Sequence, residues 1–128
     1  MKKLCFLIIV AGFLTGQSLK IDVRPRLIDE NTVSIVVQID NESGRKINHL
    51  EGFLFFSNST DGLLSEKRMI IIGPNDPALQ NNRTVSKIIK LDLVKPLPDY
   101  KFNISKITFT GDYRIYTYHS KIGFYRVD

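Results

Sequence analysis

The stretch Thr32-Val33-Ser34-Ile35-Val36-Val37-Gln38-Ile39-Asp40 places Val33, Ile35, Val37 and Ile39 at every second position. Thr32, Ser34, Gln38 and Asp40 fill the gaps, and only Val36 breaks the polar set. Side chains on an extended chain alternate between two faces, so this period of two reads as a strand with one buried face. The same alternation appears upstream in Leu19, Ile21 and Val23, until Pro25 interrupts it. Proline cannot donate to a ladder, which places that first strand at a sheet edge. Asp29-Glu30 between the two reads as a solvated turn.

Downstream, Asn41-Glu42-Ser43-Gly44 has turn chemistry. His49 to Ser57 then carries Phe53 and Phe55 on one face and Leu54 and Phe56 on the other. Asp61-Gly62 marks a further turn, with Asn58-Ser59-Thr60 ahead of it. Met69 to Ile72 is apolar at every position, the expected pattern of a strand buried between layers. A loop with two prolines follows from Gly73 to Arg83. Thr84 to Val94 alternates again, with Ile89, Leu91 and Leu93 opposite Lys90 and Asp92.

Pro96-Leu97-Pro98-Asp99 breaks the chain. Tyr100, Phe102 and Ile104 then alternate, but the next apolar pair, Ile107 and Phe109, is out of phase with them. A bulge near Ser105-Lys106 would return both sets to one face. After a turn at Gly111-Asp112, Tyr113, Ile115 and Thr117 alternate with Arg114, Tyr116 and Tyr118. Gly123 to Val127 reads as a short final strand. No window carries helical periodicity. About seven short strands separated by turns predict an all-β fold, an antiparallel β-sandwich or a barrel.

The 128-residue length accommodates one domain, and the 43% hydrophobic and 24% charged composition is that of a globular protein. Collagen-like, disulfide-dense and wholly disordered chains are excluded. The N-terminus reads Lys2-Lys3, then an apolar run from Leu4 to Leu14, then Gly16 and Ser18 as small residues before a cleavage point. That order is expected of a secretory signal peptide over residues 1–18, followed by a domain over residues 19–128. The apolar run is short for a membrane span, which takes about 20 residues, so the membrane is expected as a partner only if this segment stays uncleaved as an anchor. Cleavage after Ser18 would remove Cys5, the only cysteine, and with it any thiol nucleophile or thiolate metal site. It would also lower the basic count from 18 to 16 against 13 acidic residues, a net charge of +3. The basic start gives the reading a bacterial, extracytoplasmic setting, periplasmic or secreted. Sequons at Asn41, Asn58, Asn82 and Asn103 are then chance turn chemistry.

The segment Leu93-Val94-Lys95-Pro96-Leu97-Pro98-Asp99-Tyr100-Lys101-Phe102-Asn103-Ile104 resembles the crossing between the fifth and sixth strands of fibronectin type III and related immunoglobulin-like domains. The resemblance implies that Tyr100 is a structural corner whose hydroxyl bonds back to upstream backbone. Ile39-Asp40-Asn41-Glu42-Ser43-Gly44, with Leu50 to Phe56 and Asp61-Gly62, is similar to small exported bacterial immunoglobulin-like domains of the FxLYD kind. Both imply an immunoglobulin-like antiparallel β-sandwich of about seven strands behind the signal peptide. Neither implies a function.

Catalytic chemistry finds little purchase. His49 and Glu51 share a strand face, and His119 neighbours Ser120, but neither gives the three or four ligands of a zinc site. Asn58, Asp61, Asn75 and Asp76 offer oxygens without EF-hand spacing. No nucleophile elbow, phosphate loop or dinucleotide fingerprint occurs. No catalytic, cofactor-binding or metal-binding residue is assigned, and no cofactor is expected. All five tyrosines lie in the last third, interleaved with Lys101, Lys106, Arg114, Lys121 and Arg126. If Tyr113 and Ile115 face the core, Arg114, Tyr116 and Tyr118 form an exposed face suited to a partner. The expectation is an exported, non-catalytic binding module of the cell envelope. The partner is another protein or an envelope component, and not nucleic acid. An accessory or assembly subunit pairing through an edge strand is the alternative. A small hydrolase without a recognisable motif is third.

Overall fold

A computed structural model describes residues 18–57 and 64–128. The expected signal segment up to Gln17, Cys5 and the turn at Asn58 to Gly62 lie outside the described residues. Among the described residues there are eight strands: β1 (Ser18–Leu27), β2 (Thr32–Glu42), β3 (Ile47–Ser57), β4 (Leu64–Ile72), β5 (Thr84–Asp92), β6 (Lys101–Phe109), β7 (Tyr116–His119) and β8 (Gly123–Arg126). They form two antiparallel sheets, one in the order β1-β2-β5 and one in the order β4-β3-β6-β7-β8. One core lies between the sheets. Val33, Ile35, Val37 and Ile39 of β2 are fully buried there with Leu50 and Leu54 of β3 and Ile107 of β6. The period of two read from Thr32 to Asp40 is therefore the period of the core.

β1 is an edge strand, and it runs through Pro25 to Leu27 rather than stopping at the proline. Its pairing partners explain why this is allowed. The backbone N–H of Asn41 donates to Arg83 and its carbonyl accepts from Asn82, so Asn41 bonds toward the β5 side. Leu19 lies opposite Asn41 and Pro25 opposite Ile35, six positions along each strand, an even number, so the two pairs are of the same type. Leu19, Ile21, Val23 and Pro25 thus all turn their backbone polar groups away from β2. The missing N–H of Pro25 falls on the open side, where no ladder bond is lost.

The phase slip in β6 is a bulge. Glu51 of β3 faces Lys106 while the adjacent Gly52 faces Ile104, which leaves Ser105 as the extra residue. Phe102, Ile104, Ile107 and Phe109 all enter the core as a result. Gly52 sits at this crossing because a Cβ there would run into the carbonyl oxygen of Asn103 and the ring of Phe102.

Two expectations need correction. Met69 to Ile72 is not buried on both faces, since Ile70 points outward from the edge strand β4. The segment from Tyr113 to Ile115 is not a strand, and Tyr113 is fully exposed. β7 begins at Tyr116, where Tyr116 pairs with Ile107. That start reverses the expected facing of the whole segment, turning Tyr118 into the core and Tyr116 partly into it.

Candidate functional site

A groove of about 590 Å³ opens where the two sheets come apart on one side. Its floor is β1, through Leu19, Ile21 and Val23. One wall is the start of β6, from Lys101 to Ile104, with Tyr100 just ahead of it. The other wall is β7 and the turn after it, from Thr117 to Ser120, together with Tyr125 of β8. β1 runs opposite β6 across the core. β7 and β8 continue the larger sheet beyond the edge of the smaller one.

Two backbone edges without a continuous strand partner among the described residues meet in this groove. On β1, the N–H and C=O groups of Ile21 and Val23 face away from β2, by the alternation set at Asn41 and Pro25. Among the described residues no strand pairs with that side. Leu19 shares the orientation, and its carbonyl accepts a hydrogen bond from the Tyr118 hydroxyl at 3.2 Å. On β6, pairing with β7 involves only Ile107. The Ile104 carbonyl is taken by the Thr117 hydroxyl at 2.9 Å, which shows that Ile104 faces the β7 side. Phe102, two residues earlier, faces the same side below the point where β7 ends.

The sequence-assigned residues are distributed differently from expectation. Of Arg114, Tyr116 and Tyr118, only Arg114 is exposed. Tyr118 is 9% exposed and packs on Phe124 at 4.8 Å between ring centroids. Tyr116 packs edge-on against Phe109 at 5.5 Å, and its hydroxyl donates to Asp112 Oδ2 at 2.9 Å. The three side chains therefore do not form one outward face. Tyr100 is 7% exposed and stacks on Phe56 at 5.5 Å. Its hydroxyl has no hydrogen-bond partner among the described residues, so the expected corner bond is not made. Burial pushes the Tyr100 phenol above its ordinary pKa. The hydroxyl that does tie the sheets together belongs to Tyr118.

Two charged clusters lie away from the groove. Glu51 is 7% exposed on the outer side of β3. Arg68 Nε donates to its Oε2 at 2.7 Å, and His49 Nε2 lies 2.9 Å from its Oε1. The Arg68 hydrogen bond, with that of His49, holds the Glu51 carboxyl down at about 2 against the opposing effect of burial. A carboxylate held so firmly ionised is a weak base, and the cluster clasps β3 to β4. The second cluster joins the turns at one end. Arg114 N–H donates to Asp112 Oδ1 at 2.9 Å, and Arg45 Nη2 donates to Oδ2 at 2.9 Å while lying over Phe109. These bonds lower the Asp112 carboxyl to about 2. His119 caps its own turn, accepting from the Lys121 N–H at 3.2 Å. Asp76 likewise closes a turn, accepting from the Gly73 N–H at 2.7 Å. Among the described residues no three His, Cys, Asp or Glu side chains gather as metal ligands.

Sequence reasoning did not mark the groove, because it arises from how far β7 overlaps β6, which no local pattern encodes. It also passed over Asn41 as a buried side chain, although the Asn-x-Ser-Gly turn carried it. Compared with protein-family models, curated proteins and solved structures, the chain matches none.

Proposed function

We propose that this chain is an exported, non-catalytic binding module of the cell envelope with an immunoglobulin-like sandwich fold. Strand order supports the fold. Counting strands in chain order, the first, second and fifth form one sheet, and the third, sixth and seventh lie together in the other. This order would follow from an immunoglobulin arrangement by moving the fourth strand to the second sheet and adding one strand, which supports the reading. The basic-apolar-small order of the first eighteen residues supports export.

The groove between β1 and the β6–β7 parting is the observation that carries the binding reading. It combines an apolar floor with unpaired backbone donors and acceptors, a combination suited to holding a partner in a fixed register. The proposed surface shifts accordingly, from the outward face expected of Arg114, Tyr116 and Tyr118 to the groove. The bare edge of β1 also favours the assembly form of this reading, in which the captured partner is a permanent subunit.

The test is site-specific photocrosslinking in the native cells from two positions. Tyr125 lines the groove, and Ile88 is exposed on the outer face of the smaller sheet. Crosslinked product is expected from position 125 and not from 88, in an extracytoplasmic fraction. Equal yields from both positions, or a chain retained in the cytosol, would overturn the proposal.

A further inference from the structure

We infer that the groove takes an extended, acid-flanked segment of another polypeptide, added as a strand to the open side of β1. The inference rests on the groove being the binding site and names its ligand class.

The backbone makes the first argument. Ile21 and Val23 present N–H and C=O groups along one line, two residues apart. A second extended chain is the ligand that meets such a row with acceptors and donors at the same spacing of about 6.6 Å. The window has fixed ends. Pro25 offers no N–H at one end, and at the other the Leu19 carbonyl is already engaged by Tyr118. The ligand therefore pairs over about five residues, roughly 16 Å.

The roof makes the second argument. A strand beside β1 lies beneath β7 and β8, which reach past the edge of the smaller sheet. A second copy pairing β1 to β1 would bring its own larger sheet into the space that β7 and β8 occupy. A single extended tail meets no such obstacle.

Charge selects the tail. Lys20, Arg24 and Arg26 lie along β1, Lys101 at the groove wall and Lys121 in the turn beyond it. Lys20 and Arg24 have exposed surface partners in Glu42 and Asp22. Asp or Glu at the ends of the ligand would meet these cations, and Lys or Arg would be repelled.

The test uses nine-residue peptides of alternating Val, Ile and Thr, ending in either Asp/Glu or Lys, with fluorescence anisotropy against the full chain. Acid-ended peptides should bind at least tenfold tighter than lysine-ended ones. Ile21→Pro removes a donor that faces the groove, as Pro25 already does at the same parity, and leaves the β1–β2 ladder bonds in place; Ile21→Ala controls for the side chain it also removes from the groove lining. Ile21→Pro should weaken binding about tenfold, and Ile21→Ala less than threefold. Should Ile21→Pro fail to fold, N-methylation of the central peptide residues must produce the same loss on the unaltered chain. Equal binding by both peptide sets, binding indifferent to proline and N-methylation, or a chain dimer that Ile21→Pro dissolves would each overturn the inference. Absence of peptide binding alongside groove crosslinking from position 125 would overturn the ligand class and leave the groove reading standing. Absence of both would overturn the reading itself.

Discussion

Replacing Asn41 with alanine should cost this domain a large share of its stability, and the loss can be worked bond by bond. Asn41 is fully buried. Its Nδ2 donates to the carbonyls of Arg45 at 2.8 Å, Leu79 at 3.1 Å and Gln80 at 3.2 Å. Its Oδ1 accepts from the N–H of Ser43 at 3.0 Å and from the Ser43 hydroxyl at 2.6 Å. Truncation does not strand all five partners. Leu79 O keeps the Ile47 N–H, Gln80 O keeps the Arg83 N–H, Arg45 O keeps the Ser43 hydroxyl, and that hydroxyl keeps Arg45 O. Only the buried Ser43 N–H is left without its acceptor. One orphaned buried donor costs about 1–3 kcal/mol. Adding the weakened second bonds and the small void gives about 3 kcal/mol for Asn41→Ala. In a domain of this size that corresponds to a fall in Tm of about 12–20 °C. Asn41→Asp should be worse, because it sets an anion against three carbonyl oxygens while keeping the Ser43 contacts. Urea unfolding of both variants, read by tryptophan-independent circular dichroism, decides the matter. A loss below about 1 kcal/mol for Asn41→Ala, or an aspartate variant more stable than the alanine one, would refute the reasoning.

Other perturbations have equally definite outcomes. Tyr118→Phe should cost about 1 kcal/mol by removing the inter-sheet bond to Leu19, while Tyr100→Phe should be neutral or stabilising because that buried hydroxyl is unpartnered; urea midpoints of the two variants compare them. Glu51 has its folded pKa lowered from 4.5 to about 2, so its ion pair stabilises the fold above the higher value and loses that effect as pH falls through the lower one. Glu51→Gln should therefore flatten the fall of stability across that window in acid titrations followed by circular dichroism. Gly52→Ala forces a methyl group onto the backbone of Asn103 and the ring of Phe102, and should part β3 from β6 at a cost above about 3 kcal/mol, seen as insoluble expression or loss of cooperative unfolding.

Which of these features could be read from the chain follows from how local their causes are. The buried face of β2 was legible because Val33 to Ile39 repeats at the period of a strand and sits at the centre of its sheet. The bulge in β6 was legible because two apolar sets could not share a face without an extra residue, and Ser105 is that residue. Tyr116 and Tyr118 were misread because alternation alone permits two phases. Tyr113 and Ile115 looked like core residues, but the turn after Phe109 extends through Ile115 and resets the count. Pairing Tyr118 with Phe124 across the final hairpin would have picked the other phase, since two aromatics on facing strands favour one shared face. Glu51 offered its proximity to His49, but Arg68 lies on the neighbouring strand, and the register that joins them depends on a hairpin whose length alone does not fix it.

The same register logic connects Tyr118 to the groove. Tyr118 is placed by one pairing, Tyr116 with Ile107, and from there its ring reaches under the larger sheet to the backbone of Leu19. That single bond holds the start of β1 against β7 and closes the upper end of the opening. Below it, β7 ends at His119 and the chain turns back through β8, so the early part of β6 and the middle of β1 have no strand partner on their open sides among the described residues. An exposed strand edge invites association, and proteins commonly blunt such edges with proline and charge. Pro25, Lys20, Arg24 and Arg26 do so on either side of Ile21 and Val23, but the two central residues are covered instead by an overhanging hairpin. Proline deters every strand alike and the cations deter basic ones, whereas an overhang deters folded sheets and admits a lone chain. The presence of both devices on one ten-residue strand is what separates this edge from one that is merely protected.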